Sequence, residues 1–96
     1  GLPVVVSSAL DTAIGLSQGA SLAAALPTLD YDCGLGTASL FLDDVADLRP
    51  VDGSIPVGRV TPDAEALSRL AASDERREWW LARLARCHYE LSTAAH

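Results

Sequence analysis

Three β-branched residues, Val4-Val5-Val6, end in two small hydroxyl residues, Ser7 and Ser8, and an alanine- and leucine-rich stretch begins at once. That junction constrains the fold more than any other feature of the chain. Branched side chains favour extended backbone, and an unbroken apolar run suits a strand buried on both faces, as in a parallel sheet. Leu10 to Leu26 reads as a helix that Pro27 stops, because a proline ring and its missing N–H end a helix. Tyr31 to Leu35 reads as a short second strand, and Thr37 to Leu42 as a turn or short helix. Strand, helix and strand form a βαβ unit, right-handed by strong rule, so the fold class is α/β. Two parallel strands do not make a stable sheet, so partner strands are expected from outside these residues.

The junction also has chemical consequences. The first turn of a helix leaves backbone N–H groups unpaired, and the helix dipole adds positive potential there. A strand that runs straight into a helix therefore makes a seat for an anion, at the strand end where α/β folds bind their ligands. Ser7 and Ser8 occupy that position, and the amides of Ser8, Ala9 and Leu10 are expected to converge on it. Gly34, at the end of the second strand, should bring its backbone to the same space. Simple helix capping is the alternative role for the two serines, and the two roles are compatible. The helix is apolar almost all round, with Leu10, Ile14, Gly15, Ser21 and Ala25 expected to face the sheet. So little charge over so long a helix suits burial in a larger assembly.

Charge excludes several partners. The formal net charge is −6, which argues against nucleic acid, whose phosphates call for a basic face. All 7 basic residues are arginines, none before Arg49. Without lysine, these residues hold no Schiff-base, P-loop or lysine general-base chemistry. Cys33 and Cys87 are too few and too far apart for a metal knuckle or a disulfide framework, and reduced thiols in a cytoplasmic protein are expected. No apolar run approaches the ~18 residues of a membrane span. With 96 residues, a Gly1 start and a strand almost at once, the chain is expected to be a fragment of a longer protein.

Past Asp43-Asp44-Val45-Ala46-Asp47 the composition shifts. Val51-Asp52-Gly53-Ser54-Ile55 reads as a hairpin turning at Asp-Gly. Thr61-Pro62-Asp63 opens a helix to about Ala72, and Ser73-Asp74-Glu75 opens another. In the last helix Trp80, Leu84, Cys87, His88 and Leu91 fall on one face, expected to anchor on a neighbouring domain. Arg76, Arg77, Trp79 and Trp80 hint at a nucleic-acid or membrane patch, but Asp74, Glu75 and Glu78 cancel most of its field. His88 reads as a packed or rim residue, and the terminal His96 carries no signal.

Three further patterns are weak. Gly15-Leu16-Ser17-Gln18-Gly19 fits the G-x-S-x-G nucleophile elbow, but Ser17 falls about two turns into a helix instead of on the strand-to-helix turn. Gly34-Leu35-Gly36 has Ser39 where a dinucleotide fingerprint has its third glycine, so it reads better as a loop whose backbone approaches a ligand. Asp43, Asp44 and Asp47 lack a histidine and a fixed ligand spacing, so solvation and helix capping are expected of them, not a metal.

Three segments carry a resemblance: Val4 to Leu16, Tyr31 to Leu40 with its Cys33-Gly34-Leu35-Gly36-Thr37 core, and Pro50-Val51-Asp52-Gly53 followed by Ile55-Pro56-Val57. In this order and at about this spacing they resemble the C-terminal end of the o-succinylbenzoate synthase family, enolase-superfamily dehydratases of menaquinone biosynthesis, in its actinobacterial form. The resemblance covers roughly the first two thirds of the chain and is loose over the last thirty or so residues. Asp11, Thr12 and Ala13 depart mildly from the Glu, Ser and Ser common in relatives.

The resemblance implies the last two strands of a (β/α)7β TIM-like barrel, in a complete barrel of ~250 residues. Residues 1–47 would be the last strand–helix–strand unit, and residues 48–96 a hairpin and helices running back to an N-terminal capping domain. The rest of the barrel and that capping domain would be the chain's partners. The family converts 2-succinyl-6-hydroxy-2,4-cyclohexadiene-1-carboxylate to o-succinylbenzoate, with Mg2+ holding the enediolate, one lysine taking the α-proton and a second assisting the departure of water. Both lysines and the metal ligands, two Asp and a Glu on earlier strands, would lie outside this chain, which then holds no catalytic residue. Ser7, Ser8 and Gly34 match positions that hold the succinyl carboxylate of the small-molecule substrate. An N-succinylamino acid racemase on the same scaffold, or an inactive fragment or interaction module, are the alternatives.

Overall fold

A computed structural model describes residues 1–94; Ala95 and His96, the latter without signal in the sequence, lie outside the described residues. Three α-helices appear in chain order: α1, Ala13–Ala25; α2, Ala64–Arg69; and α3, Asp74–Ala94. A single 3-10 turn, Thr37–Leu40, lies between α1 and α2.

α1 starts three residues later than the sequence suggests. Thr12 is still extended at φ −66 and ψ 169, and its side chain caps nothing. The delay has a cause in the preceding residues. The Ser8 amide donates to Gly34 O at 2.9 Å, and Ala9 O accepts from the Thr37 hydroxyl at 2.9 Å, so this backbone is held extended across to the 34–37 segment. The far end agrees with the sequence: Leu26 returns to extended backbone immediately before Pro27.

Regular strands are not seen among the described residues. Where Val4–Ser7 and Tyr31–Gly34 were expected as paired strands, one parallel bridge joins Ser7 to Gly34. Gly34 N–H donates to Val6 O at 2.9 Å, completing the pair with the Ser8 bond. The orientation is that of a parallel ladder, but the ladder does not propagate. A two-stranded parallel pair has no neighbours to satisfy its outer amides and carbonyls or to cover its faces. Val4 and Val5 accordingly stand about half exposed, at 49% and 47%.

The buried face of α1 also differs from expectation. Ala13, Leu16, Ser17, Ala20 and Ala23 turn inward, whereas Ser21 and Ala25 are exposed, Ile14 and Gly15 half-buried, and Leu10 lies outside the helix and exposed. A helix apolar on every side carries little directional signal, so tertiary contacts choose the face. The chosen face is built of small residues around Leu16, which lets irregular backbone approach closely. Two small cores result. Ala13 and Leu16 pack with Ala38 and Leu48, flanked by Ala46 and Val60. Ala20 and Ala23 pack with Leu35, flanked by Val6, Cys33 and Ile55.

The remaining elements follow local signals. Val51 and Ser54 exchange backbone hydrogen bonds of 2.9 and 3.0 Å around Asp52 and Gly53. Both central residues have positive φ, 51 and 76, which is the mirror-image turn that Asp-Gly favours in a hairpin. The hairpin is a single antiparallel bridge. Asp63 caps α2 by accepting from the Ala66 amide at 2.9 Å, and Ser73 caps α3 by accepting from the Arg76 amide at 3.2 Å. α2 ends at Arg69, short of the Ala72 expected. No residue of α3 is buried, and no described helix is long and apolar enough to cross a membrane.

Candidate functional site

The site begins where residues 7–9 meet residues 34–37. Successive residues of an extended segment point to opposite faces, so Ser7 and Ser8 have different surroundings. Ser7 lies against Gly34: a Cβ built on Gly34 would stand 2.9 Å from Ser7 Oγ and 3.4 Å from Ser7 Cβ. Only a glycine fits beside that hydroxyl without displacing it. Ser8 points the other way, toward Thr37. Its Oγ lies 2.8 Å from Thr37 Oγ1 and 3.2 Å from Gly34 O. Ser7 and Gly34 are exposed, Ser8 and Thr37 half-buried.

The structure thus brings Ser7, Ser8 and Gly34 together, but it does not supply the expected helix N-terminus beside them. With α1 beginning at Ala13, the amides of Ser8, Ala9 and Leu10 are not its first turn, and the Ser8 amide is already bonded to Gly34 O. The N-terminus of α1 has found an anion within the chain. Asp44 Oδ1 accepts from the Ala13 amide at 3.1 Å and from the Val45 amide at 2.7 Å. A carboxylate at that point complements the helix dipole and replaces the cap that Thr12 does not make. Its second oxygen, Oδ2, is buried with no hydrogen-bond partner among the described residues.

The neighbouring aspartates are held by arginines. Arg69 of α2 makes a forked contact with Asp43, with both hydrogen bonds 3.1 Å long. Arg49 bonds Asp47 through Nε at 3.1 Å and Nη2 at 3.3 Å. Those hydrogen bonds, with the Arg49 amide and its charge, hold the Asp47 carboxyl below the usual aspartate range and raise the guanidinium of Arg49. These residues line a shallow cleft of about 340 Å³ between the 38–49 segment and α2. Among the described residues no group of three His, Cys, Asp or Glu side chains could hold a metal ion. With Asp43 and Asp47 paired to arginine and Asp44 engaged as a cap, these residues do not fit a magnesium site.

The other motifs fall into structural roles. Ser17 is buried inside α1, where its hydroxyl donates to Ile14 O at 2.7 Å, so Gly15–Gly19 is not a nucleophile elbow. Leu35, between its two glycines, is a core residue. Cys33 is half-buried, Cys87 is exposed, and both are free. On α3 the Arg76 guanidinium lies 4.6 Å from the Trp79 ring centre, and Trp79 meets Trp80 edge-on at 4.9 Å. Thr37 carried no signal for its role, reading only as the start of a turn, whereas Asp44, one of the aspartates expected to solvate or cap a helix, caps one whose start lies 31 positions away.

No protein-family model matches the chain. Curated proteins do. The o-succinylbenzoate synthase of Mycobacterium leprae is 54% identical over 88 residues, covering 91% of this chain and 26% of the relative. Those of Mycobacterium tuberculosis and Mycolicibacterium smegmatis are 53% and 52% identical over 88 residues, each covering 91% of this chain and 27% of the relative. The chain therefore spans about a quarter of the length of the curated relatives it matches. Over nearly all of its own length, it is a homologue of the o-succinylbenzoate synthases.

Proposed function

We propose that this chain is the C-terminal part of an o-succinylbenzoate synthase, contributing the last two strand positions of an enolase-superfamily barrel. The parent enzyme removes water from 2-succinyl-6-hydroxy-2,4-cyclohexadiene-1-carboxylate and releases o-succinylbenzoate. One observation carries the reading: identity of 52–54% to proteins of that name, spread over 91% of this chain. The parallel bridge between Ser7 and Gly34 supports it, because it has the pairing sense that consecutive barrel strands require. Strands with no sheet around them shorten to such a bridge, and the missing three quarters of the polypeptide would supply their neighbours.

Within that enzyme the chain's part is binding. Ser7, Ser8 and Gly34 form the seat for the succinyl carboxylate, remote from the carbon that loses its proton. A remote anchor raises turnover by fixing the reacting carbon in place. Proton transfer lies elsewhere, since this chain has no lysine, and magnesium, which the family implies, finds no ligand set here. Residues 1–47 are the barrel unit, and residues 48–96 lead to the capping domain, where the exposed Trp80 and Leu84 would be covered.

The test is a turnover assay on the full-length protein that carries this sequence. Dehydration of the succinyl diene is expected, dependent on magnesium, with no turnover from the 96-residue chain alone. Product formed by the short chain, or none by the long one, overturns the reading.

A further inference from the structure

We propose that Thr37 is a positioning residue: its hydroxyl staples the two segments that form the anion seat, and in doing so leaves Ser7, not Ser8, as the hydroxyl that donates to the ligand. The ligand half of this inference rests on the function proposed above; the staple itself does not.

The assignment follows from counting protons. Thr37 Oγ1 has one proton, and Ala9 O, a pure acceptor 2.9 Å away, takes it. The Ser8 hydroxyl, 2.8 Å from Thr37 Oγ1, then donates its own proton inward, with Gly34 O at 3.2 Å as a second acceptor. Outward, Ser8 offers only lone pairs, so its part in the seat is to hold the backbone in place and not to donate to the carboxylate. The Ser8 and Gly34 amides are spent as well, on Gly34 O and Val6 O. Ser7 is different: its hydroxyl has no partner among the described residues, is exposed, and lies over the bare Cα of Gly34. The staple therefore fixes the register in which the Ser7 hydroxyl and the Gly34 backbone stand side by side.

Thr37→Val keeps the shape and removes the hydroxyl; Thr37→Ser keeps the hydroxyl. Both are made in the full-length protein and read in two ways. Hydrogen exchange is followed over residues 4–10 and 31–36, and KM and kcat are measured with the succinyl substrate. Thr37→Val is expected to speed exchange of the Ser8 and Gly34 amides by at least about five- to ten-fold, because the hydroxyl's bonds to Ala9 O and Ser8 are both lost. KM should rise several-fold, and Thr37→Ser should restore both readouts. Combining Thr37→Val with Ser8→Ala should cost less than the sum of the single changes, because both remove the shared Ser8–Thr37 contact while each also loses one bond of its own, to Ala9 O and to Gly34 O. Ser7→Ala should raise KM more than Ser8→Ala. Unchanged exchange in Thr37→Val overturns the staple. Faster exchange or a lower melting temperature with KM unmoved overturns the positioning role and leaves a structural threonine. An inactive wild-type enzyme overturns the function and the ligand half together, while exchange still decides the staple.

Discussion

α1 and α3 are both helices, yet they are held in opposite ways. α1 is capped by Asp44, 31 residues away, and packs its small face into two cores with residues from Val6 to Val60. α3 is capped by Ser73 at its own start, runs for 21 residues and buries none of them. It is written by local chemistry: Asp74 and Glu75 in the first turn, and good helix formers along its length. α1 exists because other parts of the chain come to it. The contrast separates what the sequence specifies locally from what it specifies only through its fold, and it can be tested at single residues.

The largest effect should come from the cores. Leu16 is fully buried, and Leu16→Ala is expected to cost about 2–5 kcal/mol, comparable to the whole stability of a small domain. Leu84 is 66% exposed, and Leu84→Ala in the 96-residue chain should fall within about 0.5 kcal/mol of the parent. Urea unfolding followed by far-UV circular dichroism compares the two. Equal costs would break the contrast. A large cost for Leu84→Ala only in the full-length protein would sharpen it, by showing that the face exposed here is covered there.

A smaller effect is expected where the two bridged segments touch. Gly34→Ala pushes a methyl group to 2.9 Å from Ser7 Oγ, and because that exposed hydroxyl can rotate to another staggered position, a cost of about 0.5–1.5 kcal/mol is expected. Ser7→Ala removes that oxygen and leaves the two Cβ atoms 3.4 Å apart, an ordinary contact. The double variant Ser7→Ala, Gly34→Ala should therefore be more stable than Gly34→Ala alone. Additive melting temperatures would show that the clash is not with the Ser7 hydroxyl.

The same contrast explains what could be read beforehand. The helix opening at Ser73, the Asp-Gly turn and the Pro27 stop are short-range signals, and each appears at its place; α2 also opens next to Thr61-Pro62-Asp63, but Asp63, not Thr61, is its cap. The Val4–Ser7 and Tyr31–Gly34 strands are not seen among the described residues, because two segments alone do not sustain a parallel ladder, and only the Ser7–Gly34 bridge forms. The face of α1 was illegible because its sequence is apolar in every direction. At the site, Ser7, Ser8 and Gly34 could be singled out from the strand-end pattern and the resemblance. Thr37 could not, since a hydroxyl that bonds across 28 or 29 positions leaves no local trace.

The caps give the finest test of the comparison. Ser73→Ala removes a single bond to the Arg76 amide at an exposed helix start, so about 0.5 kcal/mol is expected, the low end for a cap. Asp44→Ala removes two bonds from one oxygen, to Ala13 and Val45, and detaches the 43–47 loop from α1. About 1–2 kcal/mol is expected, at the upper end for a cap. Against this stands the buried, unpartnered Oδ2 of Asp44, whose desolvation the alanine relieves. Asp44→Asn keeps an acceptor for both amides but loses the charge that meets the helix dipole, so it should fall between the parent and Asp44→Ala. Chemical denaturation of the three variants decides the order. If Asp44→Ala proved as mild as Ser73→Ala, the relief at Oδ2 would outweigh one of the two lost bonds, and the remote cap would hold α1 no more firmly than a local one holds α3.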